Sequence, residues 1–210
     1  MILPVIRPDA NIEPTVNSLR DQPVDFELLL VGPDSVAPAA PNIDAPLKRV
    51  PAANACRGSV LNTGAAAASG QILLFLWPEN RLPVEGLLTI ERNFALLPQT
   101  IGGNFHVKFD GGGFVAERAA HFIKKQRYAG VYFGSSGIFV RKDVFHALDG
   151  FRPVNFLEDY EFSRRLEAHG PTLYLPDKII VAADSYYQNR MGTILKWTKA
   201  VAMLQLGMDF

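Results

Sequence analysis

Two short runs, Phe26–Val31 (broken only by Glu27) and Ile72–Leu76, constrain this chain more than any other feature. They are too short for helices and too apolar for strands with one wet face. They therefore read as strands buried on both faces of a parallel sheet. Parallel strands need crossover connections, and the sequence supplies them. Ile2–Ile6 reads as a first strand closed by Arg7-Pro8, and Asn11–Asp21 as a helix with Ile12, Val16 and Leu19 on one side. After the turn Gly32-Pro33-Asp34-Ser35 and a Pro/Ala-rich connector, Val36–Pro46, a short strand follows near Leu47–Val50. Asn54–Ser69 is an alanine-rich helix with a small-residue face, stopped by Gly70. A further helix runs from Pro83 to about Leu97. This βαβ alternation predicts a parallel sheet wound with right-handed crossovers.

The second half differs. Thr100–Asp110 places Phe105, Val107 and Phe109 on one face and predicts an antiparallel strand. Gly111–Gly113 reads as a loop, Phe114–Gln126 as a helix, Gly137–Val140 as a strand and Asp143–Leu148 as a short helix. Glu158–His169 is helical, Leu173–Leu175 and Ile179–Ala183 are short strands, and Thr193–Leu206 is a final amphipathic helix. The expectation is a single α/β domain over 1–210, its mixed, mostly parallel central sheet flanked by helices. The halves are 1–98 and 99–210.

Charge narrows the function classes. With 21 basic and 21 acidic residues the chain is formally neutral, so no electrostatic footprint for nucleic acid is present. One cysteine, Cys56, leaves no internal disulfide, and the four histidines show no metal-ligand spacing. No basic leader precedes the first strand and no run of 18 apolar residues occurs, which leads us to expect a soluble, cytoplasmic protein.

Chemistry is expected where the strands end, because ligands of open α/β sheets bind outside their carboxyl ends. Those ends carry Arg7-Pro8, Gly32–Ser35 and Trp77-Pro78-Glu79-Asn80. The stretch Glu158-Asp159-Tyr160-Glu161 adds a cluster of carboxylates to the start of a helix, after the turn Gly150-Phe151-Arg152-Pro153. Acidic residues there complement the helix dipole; a carboxylate so placed can equally serve as a general base. Both uses stay open on the residues alone.

The run Arg57-Gly58-Ser59-Val60-Leu61-Asn62-Thr63-Gly64-Ala65-Ala66-Ala67-Ala68-Ser69-Gly70-Gln71-Ile72-Leu73-Leu74-Phe75-Leu76 resembles the helix and strand that lead into the Asp-x-Asp motif of inverting family 2 glycosyltransferases with the GT-A fold. Similar segments follow in the same order: Gly102-Gly103-Asn104-Phe105 with Phe109-Asp110, Gly134–Phe145, Gly150-Phe151, and Glu158–Leu166. The small bacterial subgroup associated with radical-SAM and selenium-related proteins is the branch it resembles most. The resemblance implies a GT-A domain that takes a nucleotide-diphosphate sugar and passes the sugar to an acceptor hydroxyl with inversion. Residues 1–98 would bind the donor, and 99–210 would hold the acceptor and the catalytic groups. It implies Asp159 as base assisted by Glu158, and a donor pocket lined by Asp34, Arg57, Asn62, Glu79, Asn80 and Arg190. It also implies a divalent cation, Mg²⁺ or Mn²⁺, on Glu79.

The chain departs from that pattern at three polar stations. Trp77-Pro78-Glu79-Asn80 stands in place of Asp-x-Asp, Gly32 in place of an aspartate with Asp34 two positions later, and Gly134-Ser135-Ser136-Gly137 in place of Gly-Asp-Gln-Gly. A second reading follows: a lapsed member that binds a nucleotide sugar or a partner protein without transfer. A nucleotidyltransferase would want a glycine-rich loop after the first strand, where Arg7-Pro8-Asp9-Ala10 stands. In the last helix Trp197, Val201 and Leu204 share a face suited to the core, to a second copy, or to a membrane surface.

Overall fold

The computed structural model describes residues 1–36, 41–53, 56–78, 80–154 and 157–183. Glu79, Arg190 and the helix expected over Thr193–Leu206 lie outside them. Strand β1 (Ile2–Pro4) leads to helix α1 (Glu13–Leu19), β2 (Leu28–Gly32), β3 (Leu47–Pro51), α2 (Arg57–Ala67) and β4 (Ile72–Phe75). The chain continues through β5 (Asn80–Arg81), α3 (Gly86–Leu96), β6 (Gly102–Asp110), α4 (Gly113–Tyr128), β7 (Ile138–Arg141), α5 (Lys142–Ala147), α6 (Glu158–His169) and β8 (Thr172–Ala182). The eight strands form one sheet in the order β3-β2-β1-β4-β7-β6-β8-β5, with β3, β2, β1 and β4 mutually parallel.

The apolar runs are strands buried on both faces, as their composition requires. In β2, Leu28 and Leu30 join one hydrophobic layer while Leu29 and Val31 join the other. Helices α1, α3 and α4 cover the first layer through Val16, Leu19, Ile90, Phe94, Ala116 and Ile123. The second layer is covered by α2, α5 and α6 through Val60, Ala65, Phe145, Phe162 and Leu166. The small-residue face of α2 lets it lie close on the sheet: a Cβ on Gly64 would fall 2.6 Å from Ile2 and 2.8 Å from Val31. Glu27, the one charge in the first run, sits just before β2. Its Oε1 accepts from the Ser69 and Gly70 amides at 2.6 and 2.9 Å and so ties the α2–β4 turn to the strand.

Two local expectations change and one strand is new. β6 is antiparallel to β7 at Gly102–Gly103 alone, and on its other side it runs parallel to β8 along its whole length. The two strands expected over Leu173–Leu175 and Ile179–Ala183 are one, β8, carried through Pro176 and ending at Ala182. The register jumps there, from Phe105 opposite Leu175 to His106 opposite Lys178, so the proline that lacks an amide proton sits in the irregularity. The two-residue β5, too short for any periodicity, pairs antiparallel with Val181 and Ile180.

Candidate active site

Parallel β1–β4 end on one edge of the sheet, and the start of antiparallel β7 meets them there. Over β1–β3 this edge holds a cavity of about 280 Å³ lined by Val5, Gly32, Pro33, Asp34, Arg49 and Pro51, among others. A Cβ on Gly32 would lie 2.0 Å from the Val5 carbonyl oxygen, so no side chain fits at the strand end. The carboxylate at the cavity therefore belongs to exposed Asp34, in the turn beyond the strand.

One strand further along, Trp77 follows β4. The turn is held by the Asn80 amide, which donates to the Trp77 carbonyl at 2.9 Å, and by the Thr15 hydroxyl of α1, which donates to the Pro78 carbonyl and more weakly to that of Trp77 at 3.3 Å. Asn80 is buried; its Nδ2 donates to the Ser135 carbonyl at 3.0 Å, and its Oδ1 has no partner among the described residues. The Arg57 guanidinium, at the first residue of α2, stacks on the Trp77 ring at 4.1 Å from its centroid.

The carboxylates face these groups from the start of α6. Leu157, with φ of 60°, turns the chain through the left-handed region immediately before the helix and buries its own side chain in the first layer. Such a turn is costly for a non-glycine residue, on the order of 1–2 kcal/mol, and it fixes how the next two side chains point. Asp159 Oδ2 accepts from the Gly134 amide at 2.6 Å, and Oδ1 accepts from the Tyr160 amide at 2.8 Å. Glu158 is 1% exposed and pairs with Arg57 Nε at 2.9 Å, off the hydrogen-bond axis. Neither of its oxygens has a hydrogen bond among the described residues. Burial, reinforced by the charge of Asp159 and opposed by Arg57, raises its carboxyl pKa to about 7.

The structure thus brings together Glu158, Asp159 and Arg57, with Asn80 behind Trp77. Asp34 lies at the neighbouring cavity. Asn62 spends its side chain elsewhere: Nδ2 donates to the Phe151 carbonyl at 2.7 Å and Oδ1 accepts the Phe151 amide at 2.9 Å, clamping α2 to the loop before α6. Two roles escaped the sequence. The Gly134 amide that holds Asp159 is backbone, with no side-chain signature. A Cβ at Gly134 would fall 2.3 Å from Trp77 Nε1, so glycine there lets the indole pack down beside Asp159. Among the described residues no group of three His, Cys, Asp or Glu is arranged to hold a metal, and no helix is long and apolar enough to cross a membrane.

No protein-family model and no curated protein matches the sequence. Solved structures do match the fold. S. aureus TarS 1-349 in complex with UDP-GlcNAc superimposes with a TM-score of 0.68 at 16% identity, over 86% of this chain and 57% of that one. The same protein in complex with UDP gives 0.66 at 15% identity, over 86% and 59%. The mannosyltransferase PcManGT from Pyrobaculum calidifontis, in complex with GDP-Man and Mn²⁺, gives 0.59 at 13% identity, over 86% and 55%. The chain spans less than two thirds of the length of each. Its fold is GT-A, that of nucleotide-sugar transferases.

Proposed function

We propose that this chain is a family 2-type glycosyltransferase domain that moves a sugar from a nucleoside-diphosphate donor to an acceptor hydroxyl with inversion. One observation carries the reading: the Glu158–Asp159 helix start shares a sheet edge with the 280 Å³ cavity. The nucleoside occupies the cavity beside Asp34, and its diphosphate runs toward Arg57. Residues 1–98 serve the donor and 99–210 the acceptor. Asp159 takes the proton of the acceptor hydroxyl as that oxygen attacks the anomeric carbon. The bond from that carbon to the diphosphate breaks, and the nucleoside diphosphate leaves with the electron pair. The two backbone N–H bonds to Asp159 orient its carboxylate. The neighbours in complex with UDP, UDP-GlcNAc and GDP-Man support a nucleotide sugar as donor.

A divalent cation such as the Mn²⁺ of PcManGT would neutralise the departing diphosphate. Among the described residues Glu158 is already paired with a guanidinium and Asp159 is oriented by two backbone amides, while Glu79, where the sequence expects the metal, lies outside them.

One feature favours a second reading, a domain that binds a nucleotide sugar without transferring it. Trp77 and Arg57 lie over the carboxylates and leave only a narrow pocket above Glu158 and Asp159. The experiment that separates the two pairs a thermal-shift screen against UDP, GDP, dTDP and their sugars with transfer assays on Asp159→Asn. The transferase reading expects a shift with one nucleotide and a loss of turnover of roughly 10²- to 10⁴-fold in the variant. A shift without turnover in the unaltered chain establishes the lapsed domain. Turnover that survives Asp159→Asn removes Asp159 from the role of base.

A further inference from the structure

We infer that Arg57, held between Trp77 and Glu158, is the fixed cation that neutralises the diphosphate of a nucleoside diphosphate bound in this cleft, doing there the work of a divalent metal ion. The inference rests on the nucleotide-binding reading of the same site.

Arg57 is presented in the manner of a built anion receptor. Its contact with Glu158 runs through Nε, so the N–H bonds of Nη1 and Nη2 are not used by it. The stack on Trp77 fixes the plane of the guanidinium, and the buried carboxylate fixes its rotation within that plane. A planar fork so oriented suits two oxygens of a phosphate bidentately, which an ammonium cannot match. The side chain is 34% exposed, enough to meet a ligand from the cleft. It also opens the eleven-residue helix α2, whose cap residue Cys56 turns its thiol to the Ser59 hydroxyl at 3.1 Å and caps no backbone amide, so the positive end of the dipole acts in the same direction.

Sheet geometry places this cation at the right remove. The cavity lies over β1–β3, and β4, which carries Trp77, is hydrogen-bonded next to β1. Two strand spacings separate β2 from β4, ~10 Å, a span a diphosphate attached to a nucleoside can bridge. A metal ion that drew on Glu158 would have to compete for it with the guanidinium, since that buried carboxylate has no other partner among the described residues.

The test is isothermal titration of the unaltered chain with UDP and GDP, in EDTA and again in Mn²⁺, with uridine and guanosine as phosphate-free controls. Arg57→Gln and Arg57→Lys are titrated alongside, their folding checked by thermal melts. We expect one nucleotide to bind with the same Kd in EDTA as in Mn²⁺. Arg57→Gln should weaken it roughly tenfold or more, the loss of a charged pair of hydrogen bonds. Arg57→Lys should fall between, and binding of the bare nucleoside should not change. Binding that vanishes in EDTA, or that Arg57→Gln leaves intact, overturns the inference while sparing the nucleotide reading. The EDTA arm decides this without any variant. Failure of every nucleotide to bind under all conditions takes down the functional reading, and the inference with it.

Discussion

Two of the arginine–glutamate pairs among the described residues, Arg127–Glu167 and Arg57–Glu158, are finished to different degrees. Arg127, at the end of α4, is buried and fully engaged: Nε donates to Asn104 Oδ1 at 2.7 Å, Nη2 donates to Thr172 Oγ1 at 2.8 Å, and Nη1 pairs with Glu167 at 3.1 Å. Tyr132 stacks beneath it at 4.8 Å. In the other pair the burial is reversed. The acid, Glu158, is the hidden partner with two unbonded oxygens, and the base, Arg57, reaches solvent. A buried ion pair is stable only when its remaining donors and acceptors are satisfied. The Arg127 pair meets that condition and serves the fold. Among the described residues the Arg57 pair does not, which supports the proposal that it meets a ligand.

The comparison can be broken by stability measurements. The largest effect belongs to Arg127→Ala, which strips the partner from Glu167 and leaves Asn104 unsatisfied. Urea unfolding should show a loss of about 3–5 kcal/mol. A loss under about 1 kcal/mol, the range of an exposed ion pair, would mean that this pair is no more structural than the other. Next comes pH. Glu158 has a folded-state pKa near 7, raised from 4.5 chiefly by burial. Below pH 4.5 both states carry the proton and no cost arises. Between 4.5 and 7 the unfolded chain releases it first, so folding stability should fall as pH rises, by on the order of 3 kcal/mol in all. Glu158→Gln should flatten that slope in melts taken across the same window; an unchanged slope would assign it to other groups. The smallest effect is that of Trp77→Ala. The indole is half-buried and its cation–π contact is worth about 0.5–2 kcal/mol, so the melting temperature should fall by only a few degrees even as Arg57 loses its platform. A large drop would make Trp77 a core residue and close the comparison in favour of packing.

Much of the fold was legible because its strands announce themselves by what they lack. Leu28–Val31 and Ile72–Phe75 are apolar on both sides since helices cover both sides. Legibility failed where pattern gave way to pairing. Pro176 interrupts the composition of β8 without interrupting the strand, because the register slips around it. Asn80–Arg81 is a strand only by virtue of its neighbour. At the site, Glu158 and Asp159 could be read as acids at a helix start. That Arg57 of a distant helix stacks on Trp77 and reaches Glu158 is a fact of tertiary assembly, and no local spacing encodes it. Asn62 illustrates the converse. It was singled out for a ligand, and in the structure its amide is committed to the Phe151 backbone.

The bond from the Thr15 hydroxyl to the Pro78 carbonyl reaches beyond its own neighbourhood. Thr15 belongs to α1, in the layer opposite the one that contributes Arg57 and Glu158. The turn it grips carries the indole on which the arginine rests. A shift of that turn's backbone would have to break the hydroxyl contact or carry α1 with it. The platform under the arginine is thus braced from the far side of the sheet, by a threonine that stands apart from the carboxylates.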